Sequence, residues 1–141
     1  NNPYDLPLSY HHIPIIMYAP KILKTSKEYD NFIGQIDLFP TLMGILNVSY
    51  TNNTLGVDVL KDKRDCIYFS ADDKIGCINN EWLYIYRFGG NEGLYQYKTG
   101  SVQDFSTIKK NEFEMLKKYA LSQIQVADWV ISNNKTSLIT K

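Results

Sequence analysis

The chain has 141 residues with fifteen basic side chains balancing fifteen acidic ones, and 44% of it is hydrophobic against 21% charged. That composition suits one folded domain and excludes both a disordered tail and a fibrous repeat. With no net charge there is no global field to hold the chain on nucleic acid or an anionic membrane, so any charged partner must be met locally. The longest apolar run, residues 13–20, is far below the roughly 20 residues that cross a bilayer.

Cys66 and Cys77 are too few for a disulfide framework or a zinc site. Lysine outnumbers arginine 13 to 2 in an Asn-, Ile- and Tyr-rich chain, a bias that fits an AT-rich bacterial coding sequence. The chain opens at Asn1 without an initiator Met, and the expectation is a piece of a longer protein. The lack of a targeting segment therefore carries no information about compartment.

Residues 1–12 contain Pro3, Pro7 and Asn1-Asn2 and read as an extended opening loop. Ile13-Pro14-Ile15-Ile16-Met17-Tyr18-Ala19-Pro20 is a nearly continuous apolar run between prolines, the pattern of a strand buried on both faces. After a polar segment, Leu38, Leu42, Ile45 and Leu46 recur at helical spacing. Asp37 is placed to cap that helix, with Pro40 in its first turn; a role as a ligand is the lesser alternative. Residues 47–60 read as a surface connection.

From Cys66 the period changes to two. Cys66–Ser70 and Ile75–Ile78 form a predicted hairpin around Asp72-Asp73, residues 81–88 a third strand after an Asn79-Asn80 turn, and residues 94–98 a fourth. A four-stranded antiparallel meander is the economical arrangement. Phe113, Leu116, Ala120, Ile124, Ala127 and Ile131 then draw one apolar stripe along a helix over about 109–132, which should cover one face of the sheet. The expected fold class is therefore α/β at the start, the edge of an α/β sandwich, and α+β in the C-terminal half.

His11-His12 is the best polar candidate for a site, because it directly precedes the predicted buried strand. Adjacent residues of an extended chain point to opposite sides, so one histidine at most enters a given site. No His-x-x-His, Glu-x-x-His or Asp-His pair accompanies it, and a complete metal site within these residues is not expected. Asp72-Asp73 is read as a turn and not as an acid/base pair. Cys66 and Cys77 fall on one face of the first hairpin by parity. Two buried free thiols are expected there, while a bridge depends on register. Trp82, Tyr84, Tyr86, Tyr95 and Tyr97 lack the interleaved basic residues of a base-stacking platform and read as cross-strand packing. Gly89-Gly90-Asn91-Glu92-Gly93 lacks the Lys-Ser/Thr and helix of a phosphate loop, and there is no Gly-x-Ser-x-Gly elbow.

The run 13–20, then Gly34-Gln35-Ile36-Asp37-Leu38-Phe39-Pro40-Thr41-Leu42-Met43-Gly44-Ile45-Leu46-Asn47-Val48, then Gly56-Val57-Asp58-Val59-Leu60, resembles the C-terminal part of the sulfatase family of the alkaline phosphatase superfamily. The likeness is greatest to the lipoteichoic acid synthase-like phosphoglycerol transferases and covers about residues 10–60. Residues 61–141 agree only in general layout, and Asn47 stands where the family usually has Gly at a helix C-terminus.

The resemblance implies that residues 1–60 are the end of the main sulfatase-type domain and 61–141 a small sheet-plus-helix subdomain. It implies a parent sulfuric ester hydrolase or phosphoglycerol transferase, using a divalent metal (Mn, Mg, Ca or Zn) and a covalent intermediate on Thr, Ser or formylglycine. The nucleophile and metal ligands would lie upstream, since no Asp-His-Gly and no Cys/Ser-x-Pro-x-Arg occurs here. The partners are then the upstream catalytic part and a sulfate or phosphate ester, not nucleic acid. By the same resemblance, His12 or its neighbour His11 would contact the substrate head group, this piece alone would be inactive, and the parent would act outside the bacterial inner membrane, anchored upstream in some members. A Cys66–Cys77 bridge would agree with that placement. Strand 13–20, deprived of neighbours, would let the isolated piece self-associate through a raw edge. Two rival readings are a degenerate, inactive relative and a free-standing, non-catalytic binding or assembly domain that uses its Tyr-rich sheet face and has a complete sheet.

Overall fold

The computed structural model describes residues 4–133 and 135. Its centre is a four-stranded antiparallel sheet in sequence order, β1 (Ile67–Ala71), β2 (Lys74–Ile78), β3 (Leu83–Arg87) and β4 (Glu92–Tyr95). The fold is α+β, as the period-two segments followed by a long amphipathic stripe require. β1 and β2 turn through Asp72-Asp73, with Asp72 left-handed at φ 49°. Asn79 makes the next turn by accepting the Glu81 and Trp82 backbone N–H groups at 2.9 and 2.7 Å on Oδ1. Asp104 and Phe105 cover the outer side of β4: Leu94 N–H donates to Asp104 Oδ1 at 3.0 Å and Phe105 N–H to the Leu94 carbonyl at 2.8 Å.

The two faces of the sheet carry two separate cores. Helix α3 (Lys110–Ser132) lies over one, where Leu116 and Ala120 meet Ile75, Cys77, Tyr84 and Leu94. Trp82 packs edge-on against Phe105, and Tyr84 against Phe113. The stripe runs out before the helix does: Ile131 is 66% exposed because the last turns of α3 extend past the sheet. Burial, and then the neighbouring Glu92 carboxylate, push the Tyr84 phenol pKa up, so it stays neutral.

The other face is covered by residues 4–11, which correct the expectation of an extended opening loop. Tyr4 and Leu6 are buried against Leu83 and Ile85, and Leu8–His11 closes into a single helical turn, α1. A tight turn closed by the Leu6 N–H on the Tyr4 carbonyl at 2.5 Å sets Tyr4 and Leu6 inward and Asp5 at the rim. There Arg87 Nε and Nη2 donate to the two Asp5 oxygens at 2.9 and 2.6 Å. That bond, more than the surrounding charge, holds the Asp5 carboxyl below the usual carboxylate range. Its contribution is present above that range and lost as pH falls through it, and at this half-exposed site solvent screening keeps it to about 1 kcal/mol or less. The domain division expected at residue 60 is thus crossed by the segment 4–11, which packs on the sheet of the second half.

The strand predicted for residues 13–20 does not form. Residues 12–19 have no regular structure, and Ile16 and Tyr18 are 87% and 88% exposed. A strand of that composition needs a ladder partner on at least one side and cover on both faces. Among the described residues nothing supplies either, and Pro14 and Pro20 remove two donors. The raw edge expected there is accordingly absent as well.

Helix α2 (Leu38–Leu46) follows a 3-10 turn over Gln35–Asp37 and ends on Asn47 at φ 53°, the left-handed position that Asn tolerates. Residues 47–60 are not a pure surface connection, for Gly56 and Val59 are buried against the start of this helix. A Cβ at Gly56 would strike the Ile36 carbonyl oxygen, so only glycine permits that approach. α2 is inverted. It buries Pro40 and Thr41, while Leu38, Phe39, Leu42 and Leu46 face outward.

Candidate functional site

Among the described residues neither of the two histidines expected at a substrate site forms an ion pair with a carboxylate. His11 ends α1 half-buried, its ring 4.6 Å from that of Phe69. His12 is exposed and gives its backbone N–H to the Leu8 carbonyl at 2.9 Å. Both follow a sheet-covering segment and precede irregular chain, so the geometric reason for placing a site there, a strand end, is missing. Among the described residues no cluster of three His, Cys, Asp or Glu could hold a metal ion.

The polar centre of the molecule lies elsewhere, on Asp37. It stands at the N-cap position of α2, but its side chain bonds no N–H of that first turn and reaches back to cap the preceding 3-10 turn at Gly34 N–H. It is fully buried, and it accepts Gly34 N–H on Oδ2 at 2.9 Å and Val57 N–H on Oδ1 at 2.8 Å. Arg64 completes it as a fork, with Nε 2.9 Å from Oδ2 and Nη2 2.7 Å from Oδ1. The same guanidinium donates from Nη2 to the Leu55 carbonyl at 2.6 Å and from Nη1 to Tyr119 Oη at 2.9 Å. Burial alone would lower the Arg64 pKa; the bonds and charge of Asp37 outweigh it and raise it, so the guanidinium stays charged. Thr41 Oγ1 adds a parallel tie, donating to the Asp37 carbonyl at 2.7 Å and accepting Val59 N–H at 3.2 Å.

Chemically this centre is saturated. Four donors occupy the carboxylate, leaving no lone pair free for a metal or a substrate. Its product is position: one buried ion pair joins the start of α2, the 55–57 loop, Arg64 and helix α3. Sequence reading missed Arg64, yet a signal existed. The only two arginines in a lysine-rich chain, Arg64 and Arg87, both make forked carboxylate pairs, which a lysine cannot reproduce.

Arg64 also borders an open cavity of about 410 Å³ with Lys63, Asp30, Asp65 and Glu81. Two cations against three carboxylates give it no net attraction for a phosphate or sulfate. A smaller cavity of about 160 Å³ at the C-terminal end of α2 holds Asp58, already paired with Lys61 at 3.1 Å.

Cys66 and Cys77 are free and buried. Tyr68 stands opposite Cys77, so Cys66 lies on the diagonal of the same face, and the two thiols adjoin as a hydrogen-bonded, unbridged pair. A hydrogen bond to Cys66 and burial both push the Cys77 thiol pKa up, so it does not ionise at neutral pH. The same bond lowers the Cys66 pKa, so what protects that thiol is burial: both thiols are expected to resist a bulky aromatic disulfide reagent in the native protein and to titrate as two free thiols in denaturant. A value near zero in denaturant under non-reducing conditions would show a bridge instead.

No family model matches the chain, and no curated protein matches it.

Proposed function

We propose that the chain is the C-terminal portion of a metal-dependent sulfatase or phosphoglycerol transferase acting on sulfate or phosphate esters, inactive by itself and working beyond the bacterial inner membrane. The observation that carries the reading is the inverted helix α2. Its outward residues Leu38, Phe39, Leu42 and Leu46, with Val48 and Tyr50 beside them and the bare irregular run 13–18 elsewhere on the surface, are apolar surface of the kind that the rest of an α/β domain would cover. Surface area points the same way. The chain exposes 10067 Å², where a compact monomer of 16.3 kDa exposes about 7,500 Å².

The divalent ion belonging to this chemistry does not fit the residues here. Asp37 is filled by four donors, Asp58 is paired with Lys61, and His11 is stacked on Phe69. In this reading the nucleophile and the metal ligands are supplied by an upstream segment, and the present chain contributes packing and a wall.

In the longer protein, turnover of aryl sulfate or aryl phosphate esters should require Mn²⁺, Mg²⁺ or Ca²⁺ and disappear with chelator. If His12 meets the head group as the resemblance implies, since no strand end places it there, His12→Ala should slow it at least tenfold, about 1.4 kcal/mol of transition-state stabilisation, and an unchanged rate would leave it a structural role. Equal turnover with chelator, or catalysis by the 141-residue chain alone, would sink the proposal. The rival binding-module reading is favoured by a different observation, that no raw strand edge forms over residues 13–20, although the Tyr-rich face it would use is covered by α3 and residues 4–11; it predicts no turnover in either form.

A further inference from the structure

We propose that the sheet face floored by Gly76 is a peptide-binding groove, and that residues 4–11 are its tethered occupant, a separable ligand whose recognised element is the tight turn Tyr4-Asp5-Leu6, closed by the Leu6 N–H on the Tyr4 carbonyl at 2.5 Å. The groove has a shape suited to one side chain. A Cβ at Gly76 would sit 2.5 Å from the Phe69 ring and 2.9 Å from Leu6 Cδ2, so the missing side chain is the space that Leu6 and Phe69 fill. Leu83 and Ile85 form its walls, and Leu6 is completely buried between them.

Each position of the occupant meets a different chemistry. The Tyr4 ring packs 5.1 Å from that of Tyr95, and its hydroxyl donates to the Ser101 carbonyl at 2.9 Å. Asp5 takes the Arg87 fork, and Lys74 Nζ lies 3.9 Å away. The turn brings the aromatic anchor and the aliphatic plug to the sheet while the acid between them is held at the rim by charge, so recognition rests on side-chain pockets and not on added-strand hydrogen bonds.

Two further observations make the occupant separable. The core beneath α3 shares none of its buried residues with the core beneath residues 4–11, so withdrawal of the segment leaves the first core whole. The segment is joined to the rest of the molecule by residues 12–33, which contain no helix or strand. A flexible link of that length spans roughly 25 Å and sets an effective concentration of order millimolar. While the link is intact, free peptide competes poorly, and the groove is hidden.

The test is to cut the link. A specific protease site inserted after Thr25 in the full chain is cleaved, and the nicked protein is mixed with a fluorescent peptide of residues 4–11. The nicked chain should stay associated in native buffer. The labelled peptide should then replace the resident fragment saturably, while near-ultraviolet circular dichroism stays unchanged, and a peptide carrying Leu6→Asp should bind at least tenfold more weakly. Immediate loss of the fragment on nicking, absence of any exchange under excess peptide, collapse of the fold on exchange, or equal binding of the two peptides would each overturn the proposal. As a second handle, Gly76→Ala in the intact chain fills the groove floor. It should make the nicked fragment dissociate at least tenfold more readily, and an unchanged affinity in that folded variant would count against the groove.

Discussion

Arg64→Ala should destabilise the protein by about 3–5 kcal/mol, the loss expected when one half of a buried ion pair is removed and the other is stranded. The stranded partner is Asp37, whose carboxylate is completely buried. Two backbone N–H groups would remain to it, from Gly34 and Val57, but no counter-charge. Arg64→Lys should recover little, because one ammonium cannot span both Asp37 oxygens and also reach Leu55 and Tyr119. The double replacement Asp37→Leu with Arg64→Met removes both charges together and should cost clearly less than the sum of the single changes. Tyr119→Phe, which removes one neutral acceptor, should cost about 1–2 kcal/mol. Urea midpoints at constant m-value would measure all four. If Arg64→Ala were silent, the pair would be no more than a surface ornament and the clamp description would fail.

Leu116→Ala is expected to cost about 2–5 kcal/mol, lowering the melting temperature by roughly 10 °C. Leu116 is fully buried where α3 crosses the sheet, and its neighbours there, Cys77, Tyr84 and Leu94, belong to a rigid ladder that cannot collapse into the vacated space. Ile131→Ala, at the same phase of the same helical stripe, should change stability by no more than about 0.5 kcal/mol, because 66% of Ile131 is already in water. Thermal melts of the two variants side by side provide the check. Equal losses would mean that the end of α3 is packed as tightly as its middle.

That contrast shows where sequence reading stops. Helical spacing assigns Leu116 and Ile131 to one stripe, yet whether a stripe position is buried depends on how far the sheet beneath it extends, which is a property of other residues. The same holds for α2. Its apolar period is legible, and so is its Asn47 terminus, but the residues that period marks as core lie outside, and Pro40 and Thr41 lie within. An apolar run such as residues 13–20 encodes the capacity to be a buried strand, while the hydrogen-bonding partner that would realise it is absent among the described residues.

By itself the sequence determined what is local: the order of the four strands, the turns at Asp72-Asp73 and Asn79-Asn80, and the extent of α3, because each follows from periodicity and turn chemistry within a few residues. Tertiary structure alone decided that Asp37 meets Arg64 twenty-seven residues away, that residues 4–11 return to cover the sheet, and that Cys66 lies diagonal to Cys77. These are long-range pairings. Their stability comes from excluding water around partners that no short window of sequence brings together, so the chain carries them in its geometry and not in any motif.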